Sequence, residues 1–183
     1  FNIFAGIIFV VISMFVTEIA AIKMPFMDGS TLINDRYWAG LNIVPVLLLA
    51  YWFQGWFVVF SAGIFIKEKT KLLPGITLVG SVITVSLNFI LVPKFGMMGA
   101  AIATLVCYAV ISHALLHYSQ KALQVRYRML RALYVILFTS LIVWLPNVIP
   151  GAYVDSVQVK LTLSLIGSFF VLYTLKPVRA VSN

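Results

Sequence analysis

Leu72-Leu73-Pro74-Gly75-Ile76-Thr77-Leu78-Val79-Gly80-Ser81-Val82-Ile83-Thr84-Val85-Ser86-Leu87-Asn88-Phe89-Ile90-Leu91-Val92 contains no charged side chain and is bracketed by Lys71 and Lys94. About 20 consecutive, mostly apolar residues are what an α-helix needs to cross a hydrocarbon layer of about 30 Å. Lipid offers the backbone no hydrogen-bonding partner, so only helices and closed barrels cross it, and a continuous apolar run lacks the alternation of a barrel strand. The stretch therefore predicts a transmembrane helix.

Working outward, comparable runs occupy 3–22, 38–66, 96–117, 130–149 and 157–175. The expected fold is all-α, a polytopic integral membrane bundle of six transmembrane helices. The 38–66 run is longer than a crossing requires and carries Pro45, which predicts a tilt, a kink or an interfacial first turn. Composition agrees. Of 183 residues 62% are hydrophobic and 10% charged, with a mean hydropathy of +1.07, whereas soluble domains run about 25% charged. A soluble domain is excluded. Phe1-Asn2-Ile3 precedes the first run without a basic segment, which is not a signal-peptide arrangement and predicts a piece of a longer chain. The expected organisation is 1–129, four helices with a basic loop at 118–129, and 130–183, two helices and a short tail.

The formal net charge of +8 raises nucleic acid as a partner, but the positions of the cations point to lipid. On six crossings, Lys67, Lys69, Lys71, Lys121, Arg126, Arg128, Arg131, Lys176 and Arg179 share one side, and Lys23, Arg36, Lys94 and Lys160 the other. The positive-inside rule then places both ends in the cytoplasm. The cations read as topology determinants and anionic-lipid contacts, with no nucleic acid as partner. The 117–131 stretch has Leu123, Tyr127 and Leu130 at helical spacing beside basic residues, and is either an interfacial amphipathic helix or a solvated loop.

Inside the spans, Thr77, Ser81, Thr84 and Asn88 recur at steps of four, three and four, a polar stripe on one helix face. The stripe either lines a water-filled cavity or bonds to neighbouring helices. Tyr51, Gln54 and Ser61 lie among aromatic residues in the 38–66 run and would suit a sugar-bearing ligand or simple packing. Glu18 is an acid inside a span and the candidate for cation coupling, unless it reaches water or pairs with Lys23. Gly99 and Ala103 form a small-xxx-small pair on a face shared with Gly96 and Ala100. Pro93 is expected to end one helix and Gly96 to permit a tight turn into the next.

No catalytic arrangement is present: no Ser/His/Asp or Cys/His set, no phosphate-binding loop, no carboxylate pair within helical reach. His113 and His117 stand four apart without a third ligand, and Cys107 is a lone cysteine, so no metal, cofactor or disulfide is expected.

The residues from Leu87 to Thr104 resemble the N-x-x-L-[IV]-P-x-x-G-x-x-G-A-A-x-A-T hairpin of bacterial polysaccharide flippases, relatives of multidrug and toxin extrusion transporters and lipid II flippases. Val44-Pro45-Val46-Leu47-Leu48-Leu49 and Lys67-Glu68-Lys69-Thr70 are similar to the preceding helix and basic loop of that family. The resemblance covers about residues 37–131. It implies helices nine to fourteen of a 14-helix transporter, one partial lobe whose N-terminal partner lobe is missing from this sequence. The implied activity is the flipping of an undecaprenyl-linked oligosaccharide across the inner membrane by alternating access, with polysaccharide assembly proteins as further partners. The last two helices would shelter the polyprenyl tail, and close packing at Gly99 and Ala103 would let the lobe move as a rigid body. Two other readings stay open: a cation-coupled multidrug exporter using Glu18, and a membrane glycosyltransferase or polysaccharide polymerase.

Overall fold

The computed structural model describes residues 1–22, 33–66, 71–122, 129–148 and 157–174, and every regular element among them is a helix. These are α1 (Asn2–Ala20), a 3-10 helix (Asp35–Ile43), α2 (Val44–Ile66), α3 (Leu72–Ala122), α4 (Met129–Val148) and α5 (Val157–Thr174). Two compact units result. The terminal unit joins Phe1–Ile33 to Arg128–Asn183, and the middle unit is Asn34–Tyr127.

The six expected spans are not what forms. Among the described residues four helices are long and apolar enough to cross a membrane: Asn2–Ala20, Tyr37–Ile66, Leu72–Gln120 and Val157–Thr174. Two departures account for the difference. The expected third and fourth spans both fall in the run Leu72–Ala122, α3, whose two helical arms meet at a kink at Gly96, the residue in it that leaves helical geometry. The expected fifth contributes a shorter apolar helix, Leu130–Trp144. The assignment of loops to alternate sides, which rested on six crossings, falls with that count. What stands is a helical, membrane-spanning protein. Its surface agrees: Phe4, Phe89, Leu130 and Tyr173 are each more than 70% exposed, apolar area on a scale that water-facing surfaces avoid.

In the middle unit, the chain enters as a 3-10 helix and widens to α-helix at Val44, one residue before Pro45. Proline is tolerated there because its fixed φ suits a helical turn and its missing N–H removes a single backbone bond at the junction of the two helices. From α2, Val46, Ala50, Trp56, Phe60 and Ile64 turn inward at intervals of four or six, with Trp52 between. Phe53 meets Trp56 edge-on with ring centroids 5.3 Å apart.

α3 continues through Pro93, which was expected to end a helix. The ring's fixed φ suits a helix and removes one backbone bond; the reversal comes three residues later. Gly96 has φ 55° and ψ −133°, the geometry of the first central residue of a type II′ turn, which glycine supplies without a Cβ clash. The arms 72–95 and 97–122 fold back on each other. Gly99, Ala103, Cys107, Ile111, Leu115 and Ser119, each four apart, are buried along the second arm, as one face of an α-helix should be. The Cys107 thiol donates to the Gly80 carbonyl of the first arm at 3.3 Å.

In the terminal unit, α1 buries Gly6, Phe9, Val10, Ser13 and Met14, α4 buries Ala132, Val135, Ile136, Thr139, Ile142 and Val143, and α5 buries Ser164, Gly167 and Val171. Gly167 is where α5 lies close to both neighbours: a Cβ there would stand 3.2 Å from Val10 Cγ1 and 3.6 Å from Ile142 Cδ1. Phe138 of α4 and Phe170 of α5 meet at a tilt of 35° with centroids 3.9 Å apart.

Candidate functional site

The polar stripe of the first arm of α3 divides into two kinds of residue. Thr77 Oγ1 donates to the carbonyls of Leu73 and Pro74, Ser81 Oγ to that of Thr77, and Thr84 Oγ1 to that of Gly80. Each hydroxyl is satisfied by its own helix, which lets it stand at lipid depth without a ligand or a neighbour. Asn88, one turn on from Thr84, differs. Its Oδ1 is buried and has no hydrogen-bond partner, and an unsatisfied buried acceptor costs about 1–3 kcal/mol.

The three candidates on α2 separate as well. Ser61 is buried and donates to Val58 O at 2.7 Å. Gln54 is half-buried. Tyr51 is exposed, and its ring centroid lies 6.4 Å from that of Tyr108 on the second arm of α3, a ring that sequence inspection does not single out.

The small residues bring backbone to backbone. A Cβ at Gly99 would run into the carbonyl of Leu91 and stand 2.6 Å from Leu91 C and 3.0 Å from Val92 N. The approach is within α3 itself, directly across the Gly96 reversal. Ala103 is fully buried one turn on and Ala100 is half-buried. Gly80, which the sequence reading passed over, is a second point of close approach between the arms, here to side chains: a Cβ there would collide with the Ile111 side chain and stand 3.3 Å from Cys107 Sγ. Small residues inside apolar spans are the signal that would have found it.

Glu18, in the terminal unit, is fully engaged. Oε1 accepts from Lys160 Nζ of α5 at 2.7 Å and Oε2 accepts from the Thr17 hydroxyl at 2.8 Å. Lys23, the partner weighed from the sequence, lies outside the described residues. Lys160 is 142 positions away and nothing local points to it. Both groups keep partial access to their surroundings, 14% for the Lys160 side chain and 33% for that of Glu18, so the pair sits where α1 ends and α5 begins rather than deep in the unit.

A cavity of about 330 Å³ lies between the two arms of α3 away from the Gly96 end, with Lys71 and Tyr118 among its lining residues. None of the seven cavity candidates lines it. His113 and His117 are both exposed on α3, and among the described residues no three His, Cys, Asp or Glu side chains gather. The 118–129 basic segment begins as the last turn of α3, up to Ala122, and ends at Met129, the first residue of α4; residues 123–128, on which the amphipathic reading of 117–131 depends, lie outside the described residues.

No family model, curated protein or solved structure matches this chain, so the family resemblance rests on residues 44–49, 67–70 and 87–104 alone.

Proposed function

We propose that the protein is part of a flippase that carries an undecaprenyl-linked oligosaccharide across the bacterial inner membrane for surface polysaccharide synthesis, by alternating access and without a catalytic step of its own. The observation that carries the proposal is Asn88. A sugar headgroup does not cross about 30 Å of hydrocarbon unaided, so polar groups within the membrane must meet its hydroxyls on the way. Three of the four residues on the stripe bond to their own helix; Asn88 alone keeps a buried acceptor without a donor. A substrate hydroxyl reaching Oδ1 in another conformation of the helices would satisfy it. Tyr51 and Gln54, on α2, are further candidates to contact the sugar. Support of a second kind comes from the resembling stretch itself: two of its glycines, Gly96 and Gly99, stand where a positive φ and a backbone contact call for glycine.

A cation-coupled drug exporter would need an acid free to take and release its ion. The two oxygens of Glu18 are held by Lys160 and Thr17, which favours a structural role for that residue over coupling.

The experiment deletes the complete gene and restores it with wild-type, Asn88→Gln or Asn88→Leu protein at matched membrane levels, then reads lipid-linked glycans and surface polysaccharide. Deletion is expected to leave a complete lipid-linked repeat unit on the cytoplasmic face and little polysaccharide outside. Asn88→Leu is expected to reproduce that state, and Asn88→Gln to export at an intermediate rate. Normal surface polysaccharide after deletion sinks the proposal, and raised sensitivity to cationic dyes with it would move the protein to drug export.

A further inference from the structure

The cavity between the arms of α3 has two chemically distinct parts. Its walls are aliphatic, with Ile76 and Val79 from the first arm and Val110 and Ile111 from the second. Gly75 and Ala114 also line it and leave it open; a Cβ added at Gly75 would meet nothing within 4 Å. The polar tips belong to Lys71, immediately before the first residue of α3, and Tyr118, both exposed. Lys71 has no carboxylate partner among the described residues. Val79 and Val110 are 57% and 41% exposed, so the groove opens to whatever surrounds the helices, and around a membrane-spanning helix that is lipid.

We propose that this groove holds one anionic phospholipid, with part of an acyl chain lying along the aliphatic walls over Gly75 and the phosphate held by Lys71 and the Tyr118 hydroxyl. A cation and a phenol beside an apolar groove at the end of a spanning helix match a phospholipid in all three parts: chain, boundary and charge. Lys71 stands where the apolar run begins, which is the headgroup level, and tyrosine is enriched at that level because its ring is apolar and its tip polar. The volume lies at the lower end of the range for small-ligand sites, enough for a segment of one chain. A lysine with no carboxylate partner among the described residues, in a chain of net charge +8, selects a negative headgroup over a zwitterionic one. The site is independent of what the protein transports.

The test uses the full chain, reconstituted in nanodiscs of equal phosphatidylglycerol and phosphatidylcholine and released into native mass spectrometry. The wild type is expected to retain phosphatidylglycerol about fivefold over phosphatidylcholine, the preference that one lysine near a membrane surface supplies. Gly75→Leu, which fills the groove without meeting a neighbour at Cβ, should lose the retained lipid of both kinds. Lys71→Gln, an exposed position whose change leaves the core untouched, should keep a lipid but lose the preference between headgroups. Arg131→Gln, an exposed cation on α4, should match the wild type. Equal retention of both headgroups by the wild type overturns the proposal. So does Gly75→Leu protein that keeps its lipid, or an isoprenoid phosphate found in place of the phospholipid.

Discussion

The terminal and middle units hold their helices by different means. In the terminal unit, side chains meet: Glu18 with Lys160, Phe138 with Phe170, and Val10 and Ile142 over Gly167. In the middle unit, backbone meets backbone or nearly so: Gly99 lies against the Leu91 carbonyl, and the Gly80 carbonyl accepts the Cys107 thiol. Lipid is as apolar as leucine, so burying apolar surface drives helix association far less than it does in water, and close packing and polar contacts must do it instead. Each unit uses both, the terminal one an ion pair with a side-chain approach at Gly167 and the middle one a thiol bond with a backbone approach at Gly99. Contacts between side chains tolerate exchange of the partners, whereas backbone approach tolerates no added atom.

That contrast is most exposed at paired glycines. Gly99→Ala puts a Cβ into backbone that cannot move without opening the α3 reversal, and should destabilise the protein by about 3 kcal/mol. Gly167→Ala meets only the Val10 and Ile142 side chains, which can turn aside, and should cost less than about 1 kcal/mol. Unfolding in mixed detergent micelles measures both, and equal losses would erase the distinction between the units.

Gly96→Ala comes next. A residue with a Cβ at φ 55° is strained by about 2 kcal/mol, and the loss should be independent of Gly167→Ala when the two are combined. Additivity within about 0.5 kcal/mol in the double variant is expected for sites without shared partners; coupling beyond that would mean the units do not respond separately.

For the terminal unit, Glu18→Gln leaves Lys160 without its counter-charge. Because the pair is partly exposed, the loss should fall between the values for exposed and buried pairs, about 1–2 kcal/mol. The exchanged pair, Glu18→Lys with Lys160→Glu, should recover most of it. Failure of the exchange to recover stability would show that the geometry, including the bond from Thr17, matters more than the charges.

The smallest effects belong to the stripe. Thr77→Ala and Ser81→Ala remove hydroxyls that bond only to their own helix and should shift stability by less than about 0.5 kcal/mol. A larger shift in either would place that hydroxyl against a partner and enlarge the candidate site beyond Asn88.

Much of the candidate site was open to inspection residue by residue, and the limits were physical. The steps of four, three and four place Thr77, Ser81, Thr84 and Asn88 on one face, but periodicity does not tell a hydroxyl bonded to its own turn from an amide without a donor. Gly96 was readable as a turn because a glycine beyond a proline is a local signal. Pro93 was misread as a stop because its helical φ is compatible with the element running on. The span count differs at two places: α3 holds two of the expected runs, joined across the kink at Gly96, and the run at 130–149 gives an apolar helix, Leu130–Trp144, shorter than a crossing needs.

Sequence alone determined that this chain is helical and has lipid as its solvent, because hydropathy, length and the scarcity of charge are sums over neighbouring residues. It also determined where α3 reverses, since that depends on a single backbone position. Only the tertiary structure decided that Glu18 belongs to Lys160, that Gly80 and Gly99 are points of close approach, and that a groove opens between the arms at Gly75. Each of these depends on the rotation and register of helices about one another. In a bilayer, where an apolar side chain is nearly as well placed facing lipid as facing protein, composition does not report that rotation.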